Sequence, residues 1–206
     1  MRKIAESTVR RLSLYLHLLE EFAAQGQSTV SSETLAARGG TTSAQVRKDL
    51  SFFGSFGKRG LGYSVPELAG RLRDILGLRQ SHRVLVIGAG KIGSALAQYG
   101  GFADRGFRVI AVYDADPAKV GVQWNGLTVR DMRQLERDLA HDPMDIAIVS
   151  TPPDVAQEVT DRLVGAGIHA ILNFAPVQLA VPRDVVVKNV NMALELETLS
   201  YALRHR

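Results

Sequence analysis

Gly88-Ala89-Gly90-Lys91-Ile92-Gly93 is a G-x-G-x-x-G run, and its flanks give it a chemistry. Val84-Leu85-Val86-Ile87 precedes it, short, apolar and rich in β-branched residues, the pattern of a strand buried on both faces of a parallel sheet. A helix is expected from about Ile92 to Phe102, then a second apolar run, Val109 to Tyr113, ending in Asp114. In such a unit the first glycine permits the tight strand-to-helix turn. The second lets a pyrophosphate approach bare backbone, and the third lets the helix pack closely on the strand. Free N–H groups at the helix N-terminus then face the anion. Asp114 follows Gly93 by 21 residues, where a carboxylate can accept hydrogen bonds from an adenosine ribose and would repel a 2′-phosphate. The expected ligand is NAD(H) rather than NADP(H). The alternative left open by glycines alone is a Rossmann-type unit that binds another nucleotide, such as coenzyme A, or nothing.

A second set of residues, before this unit, points to nucleic acid. Residues 1–80 carry 12 Lys/Arg and 7 Asp/Glu, a net +5, while residues 81–206 carry 13 and 14, a net −1. A basic first third beside a near-neutral remainder suggests a polyanionic partner, with a merely solvated basic surface as the alternative. The charges fall in a recognisable order. Leu12, Leu16, Leu19 and Ala23 mark an amphipathic helix over residues 7–24, which Gly26 ends. Ser31 caps a short helix to Arg38, with Val30 and Leu35 placed as a hydrophobic staple. Thr42 and Gln45 form a capping box for a third helix, whose apolar face is Val46, Leu50 and Phe53 and whose other face shows Ala44, Arg47, Lys48 and Ser51. A short helix, a Gly-containing turn and a helix with a basic outer face is the helix-turn-helix layout. Gly54 to Tyr63 follows, four glycines around Lys58-Arg59, and reads as a β-hairpin with a cationic tip, a wing placed to touch phosphates or the minor groove.

The elements that must position these groups continue along the chain. Val65 to Leu78 reads as a linking helix, with the domain boundary between Gly77 and His82. Beyond Asp114, strands are expected at Leu127–Val129, Asp145–Thr151, His169–Ala175 and Val185–Val187, with helices at Met132–Leu139 and Asp154–Ala166. That is a βαβ series and hence a doubly wound parallel sheet. Ligands of such sheets bind outside the carboxyl ends of the strands, so Ser150 to Pro153 and Asn173 to Pro176 should line the half of the site that receives the nicotinamide. The last segment, Met192 to Leu203, is an amphipathic helix that either packs on its own core or docks on a partner subunit. The expected organisation is α/β: a winged-helix DNA-binding domain at residues 1–79, a Rossmann-type domain at 80–188 and a C-terminal helix at 189–206.

Several function classes are excluded or disfavoured. The chain has no cysteine, which excludes disulfides, cysteine-based zinc sites and thiol switches, so any response to redox state must come through a ligand. No apolar run is long enough to span a bilayer, and the basic start lacks a signal-peptide core, so a cytoplasmic protein without a membrane partner is expected. No metal is expected. A nicotinamide-dependent dehydrogenase would need a proton donor near the reactive carbon. His169 begins a strand, at the wrong end for catalysis in this fold, His82 precedes the first strand, and His141 lies in a helix-to-strand turn. His17 and His205 lie outside the nucleotide domain, and no segment is large enough for a substrate domain. No enzyme is expected.

The order of these pieces closely resembles the Rex repressors, bacterial transcription factors that sense the NADH/NAD+ balance. The resemblance is carried by SSETLA (31–36), QVRKDLSFFGSFGKRGLGY (45–63), GAGKIGSALA (88–97), NFAP (173–176) and NVNMALELETLSYAL (189–203), and it covers essentially the whole chain. It implies a homodimer that binds inverted-repeat operator DNA and releases it when NADH binds, with NAD+ competing more weakly. It implies that the C-terminal helix is swapped between protomers. The cofactor residues it implies are Gly88, Ala89, Gly90, Lys91, Ile92, Gly93, Tyr99, Asp114, Thr151, Pro152, Asn173, Phe174, Ala175 and Met192. On the DNA side they are Ser31, Ser43, Gln45, Arg47, Lys48, Ser51, Phe56, Lys58, Arg59 and Tyr63. The family often has an aspartate where this chain has Asn191, able to pair with an arginine of the partner's first helix, and Arg11 is the matching arginine.

Overall fold

The structure is a computed structural model and describes residues 4–54, 56–58 and 61–205. Two compact units divide the chain, Met1–Gln80 and Ser81–Arg206.

In the first unit α1 (Glu6–Ala24) is followed by β1 (Thr29–Val30), α2 (Ser32–Arg38), α3 (Ser43–Ser51), β2 (Gly57–Lys58), β3 (Gly62–Ser64) and α4 (Val65–Ile75). The helical spacing of Leu12, Leu16, Leu19 and Phe22 puts all four on one face, none more than 3 % exposed. Each such burial contributes about 1.5–3 kcal/mol. The caps fall where the side chains allow them: Ser31 Oγ accepts from Thr34 N at 3.0 Å and Thr42 Oγ1 from Gln45 N at 3.2 Å. Val30 and Leu35 are both buried, so the staple closes. The strands form a small antiparallel sheet in the order β1-β3-β2, which makes the hairpin a wing beside the helix-turn-helix. Gly62 has φ +77, and a side chain there would meet the Val30 carbonyl oxygen at 2.5 Å, so the close pairing of β3 with β1 requires glycine.

The second unit contains β4 (His82–Ile87), α5 (Lys91–Ala97), a 3-10 helix (Gly100–Arg105), β5 (Phe107–Asp114), β6 (Gln123–Trp124) and β7 (Leu127–Asp131). It continues with α6 (Leu135–His141), β8 (Ile146–Val149), α7 (Pro153–Gly165), β9 (Ala170–Asn173), β10 (Val186–Asn189) and α8 (Met192–Arg204). The sheet order is β10-β9-β8-β4-β5-β7-β6, parallel throughout except for the β6–β7 hairpin. The strand order reverses between β4 and β8, which makes the carboxyl ends of those strands the switch point where such sheets hold ligands. Leu85, Ile87, Ala147 and Val149 face α6 and α7 on one side, and Val84, Val86, Val112 and Ile148 form the core on the other.

Two local features depart from expectation. The helix after the glycine run stops at Ala97 and a 3-10 turn follows over Gly100–Arg105, where a side chain on Gly101 would meet the Tyr99 ring at 2.7 Å. Strand β6 was not anticipated. Asn125 (φ 46) and Gly126 (φ 85) form its turn, the Asn-Gly pair that suits a two-residue hairpin, and Trp124 packs against the second core.

Helix α8 has no buried residue. Met192, Leu194, Leu196, Leu199, Tyr201 and Leu203 are all exposed, each by more than half. The sheet face over β8, β9 and β10 is also open, as a groove of about 370 Å³ whose lining includes Ile146, Ile148, Ala170, Leu172 and Val186. Among the described residues no helix is long and apolar enough to cross a membrane.

Candidate nucleotide cleft and DNA-binding face

A cleft of about 660 Å³ opens at the switch point. Gly88 sits at φ +98 with the Ser150 carbonyl oxygen 2.8 Å from where its Cβ would be, and a Cβ on Gly93 would lie 1.8 Å from the Gly88 oxygen. The loop therefore folds back on itself in a way only glycines allow at these two positions. Gly90 has open space above it and lines the cleft, leaving its backbone accessible to a ligand. Ser150 Oγ donates to the carbonyls of both Ile87 and Gly88 at 3.0 Å, which fastens the turn to the end of β8.

Asp114 ends β5 at the cleft wall and is 8 % exposed. It accepts from Ala89 N at 2.6 Å, from Asp116 N at 2.8 Å and from Lys119 Nζ at 3.2 Å. Burial alone would raise its pKa, but the two backbone N–H groups and the lysine outweigh it and hold the carboxyl below its ordinary value. It stays ionised while bracing the glycine loop.

Gly88, Gly90, Ile92, Asp114, Thr151, Pro152 and Phe174 come together as cleft lining. Thr151 Oγ1 is inaccessible and has no hydrogen-bond partner among the described residues. Other expected residues lie elsewhere in the single chain. Asn173 is fully buried and does not line the cleft. Its amide donates to Ala175 O, Val177 O and Asn189 Oδ1, and its oxygen accepts from Ala175 N, so it braces the loop that carries Phe174. Ala175 is core. Ala89 contributes its N–H to Asp114, and Gly93 lies under the loop. Lys91 is exposed and outside the lining. Tyr99, 60 % exposed, packs edge-on against Phe102 beside a different depression. Met192 is 69 % exposed on α8 and likewise outside the cleft. Lys119 was missed. Its signal was a lysine five residues beyond the acid, in the loop that leaves β5.

On the first unit, α3 turns Arg47 and Lys48 outward. Arg47 Nη1 donates to Ser32 Oγ at 2.9 Å and to Glu33 Oε1 at 3.4 Å. Ser51 Oγ donates to the Lys48 carbonyl, Ser43 is part-buried and Ser31 caps α2. Arg59 and the side chain of Lys58 lie outside the described residues. Tyr63 was expected on the DNA face, yet it is 8 % exposed and belongs to the core, its ring against Gly57 across β2 and β3. Phe56 packs partly against the same core.

Gln45, also expected on the DNA side, donates its amide to Asp49 Oδ1 at 2.8 Å. Asp49 was missed, and it organises this unit. It is fully buried, and Arg11 donates to both its oxygens at 2.6 and 2.7 Å. Tyr15 donates at 3.1 Å and Thr8 at 3.4 Å. Arg11, expected as the switch partner of Asn191, has its guanidinium held on Asp49 within its own domain in this chain. Asn191 caps α8, accepting from Ala193 N at 3.0 Å. The signal for Asp49 was its place among Val46, Leu50 and Phe53, at helical spacing on the buried stripe.

A winged helix joined to a doubly wound sheet with a nucleotide-type cleft defines a class, the DNA-binding regulators that carry a ligand-sensing domain. A family model described as "CoA binding domain" matches residues 79–177, and one described as "Putative DNA-binding protein N-terminus" matches residues 3–51. The redox-sensing transcriptional repressor Rex of Streptomyces griseus is 47 % identical over 200 residues, 97 % of this chain and 79 % of that one. The chain belongs to the Rex family of redox-sensing transcriptional repressors. Crystal structures of RSP, a Rex-family repressor, superpose over 100 % of this chain: one in complex with NAD+ and operator DNA has a TM-score of 0.94 at 39 % identity over 94 % of its chain, and one with NADH has 0.91 at 38 % over 96 %.

Proposed function

We propose that the chain is a homodimeric repressor that occupies operator DNA when NADH is scarce and leaves it when NADH fills the cleft. NAD+ competes for the same cleft more weakly. The observation that carries this reading is the cleft itself: a loop closed by Gly88 and Gly93, bare backbone at Gly90, and an ionised Asp114 at the wall. Gly90 and its neighbours take the pyrophosphate, Asp114 meets the adenosine ribose, and Thr151, Pro152 and Phe174 flank the nicotinamide. The bound nucleotide supplies a redox-dependent ring whose charge differs between its two forms, and the protein's part is to bind it and respond. DNA is met by Arg47, Lys48 and Ser51 on α3 and by the wing with Lys58 and Arg59.

Dimerisation is supported by two apolar surfaces open among the described residues of the second unit, the apolar side of α8 and the groove over β8–β10. A second copy exchanging α8 would bury both, with Asn191 keeping the helix cap, and Met192 and Tyr99 would then meet nicotinamide across the dimer. The operator of such a dimer is an inverted repeat. Function is cytoplasmic, where chromosome and nucleotide pool meet.

Fluorescence anisotropy of a labelled duplex from the chain's own upstream region, titrated with NADH and with NAD+, tests the reading. Release by NADH at concentrations where NAD+ does little is expected, and binding indifferent to both nucleotides would refute it. The description of the family model that matches residues 79–177 favours coenzyme A as a second reading. A thermal shift larger with coenzyme A than with NADH would establish that one.

A further inference from the structure

Resting on the DNA-binding reading above, we propose that Glu33 is an affinity-limiting residue of the DNA face, one that holds Arg47 on the protein until a base edge able to accept two hydrogen bonds replaces it. Arg47 is not free on the face of α3. Its Nη1 reaches back to the first turn of α2, 2.9 Å from Ser32 Oγ and 3.4 Å from Glu33 Oε1, and Ser32 Oγ itself donates to Glu33 Oε1 at 3.3 Å. Ser32 is 8 % exposed and therefore fixed, whereas Glu33 stands in solvent on the same side as Arg47. The carboxylate thus sits where DNA would dock.

Two consequences follow from charge alone. Phosphates repel Glu33, so the carboxylate weakens binding to every duplex. The loss is not equal for every sequence. A guanine presents O6 and N7 together and gives the arginine fork two acceptors in place of the one carboxylate oxygen it leaves. A phosphate or another base offers a poorer exchange, and Arg47 then stays with Glu33 and contributes little. Only the correct base therefore breaks the Arg47–Glu33 pair and bears its cost, so Glu33 lowers affinity for the right sequence more than for the wrong one and narrows the difference between them.

The test uses the full chain, a labelled duplex from its own upstream region and a scrambled duplex of the same composition. Glu33→Gln keeps the shape and removes the charge. It is expected to tighten the promoter duplex about fivefold and the scrambled duplex about twofold, so that their affinity ratio rises by about two- to threefold, the scale of an exposed ion pair. In an Arg47→Ala background the same change should tighten both duplexes equally and leave the ratio alone. A ratio that Glu33→Gln does not raise, or that rises as much without Arg47, overturns the proposal. Failure of the unaltered chain to bind either duplex would be a different result, one that removes the DNA-binding reading itself.

Discussion

At Asp114 three donors converge on one carboxylate, two of them backbone N–H groups and one of these from the glycine loop. The residue therefore shapes the loop as well as standing where the proposed reading puts the ribose. Asp114→Ala should weaken NADH by about tenfold or more, measured by calorimetry, because it removes a charge-assisted acceptor and frees the loop together. The preference for NADH over NADPH should also narrow, and an unchanged preference would take the ribose role away from Asp114. On the DNA side, Arg47→Ala should cost about 1–3 kcal/mol of promoter affinity if the guanidinium reads a base, with NADH binding intact. The two glycines that shape the loop and the acid after them were legible because their roles are set by backbone geometry and by spacing. Asn173 was not. An asparagine near a strand end fits a ligand contact and a buried brace equally well, and only the three carbonyl-type oxygens around its amide decide between them.

Helix α3 carries a second lesson in its buried acid. Val46, Asp49, Leu50 and Phe53 share one stripe, so a carboxylate points into a core and must find donors there. Arg11 and Tyr15 of α1 and Gln45 of α3 supply them, tying the basic helix to α1. Periodicity assigns the stripe but does not pair residues 38 positions apart, so the tie between Asp49 and Arg11 was not legible in the sequence. Burial alone would raise the Asp49 pKa, but hydrogen bonds from Arg11, Gln45 and Tyr15 dominate and the value is lowered. Its contribution to stability is thus present above the unfolded carboxylate value of about 3.9 and is lost as pH falls through the lower folded value. Burial, then the neighbouring carboxylate, pushes the Tyr15 hydroxyl up to about 12. Its contribution holds below about pH 10 and disappears as pH rises through the folded value, on the order of 2–3 kcal/mol. Chemical denaturation across pH should show both flanks. Asp49→Asn should flatten the acid flank and cost about 2–3 kcal/mol, less than for a fully buried pair because the Arg11 side chain is 27 % exposed.

At the scale of the molecule, helix α8 has no buried residue among those described, and part of one sheet face of the second unit lines an open groove. The amphipathic pattern of α8 was plain in the sequence, but a stripe says only that something covers it, and whether the cover is the same chain is a matter of tertiary packing. Removing residues 192–206 should give a monomer by sedimentation, with promoter affinity lowered by more than tenfold because paired half-sites then lose their coupling. A truncated chain that still sedimented as a dimer would place the association elsewhere. The edge hairpin adds something practical. Trp124 is the one indole in the chain, set against the same core as Phe174, which lines the nucleotide cleft. Indoles emit where dihydronicotinamide absorbs and nicotinamide does not. The protein therefore carries its own optical gauge: energy transfer from a single intrinsic donor should dim its emission with one redox form of the ligand and leave it bright with the other, with no dye attached.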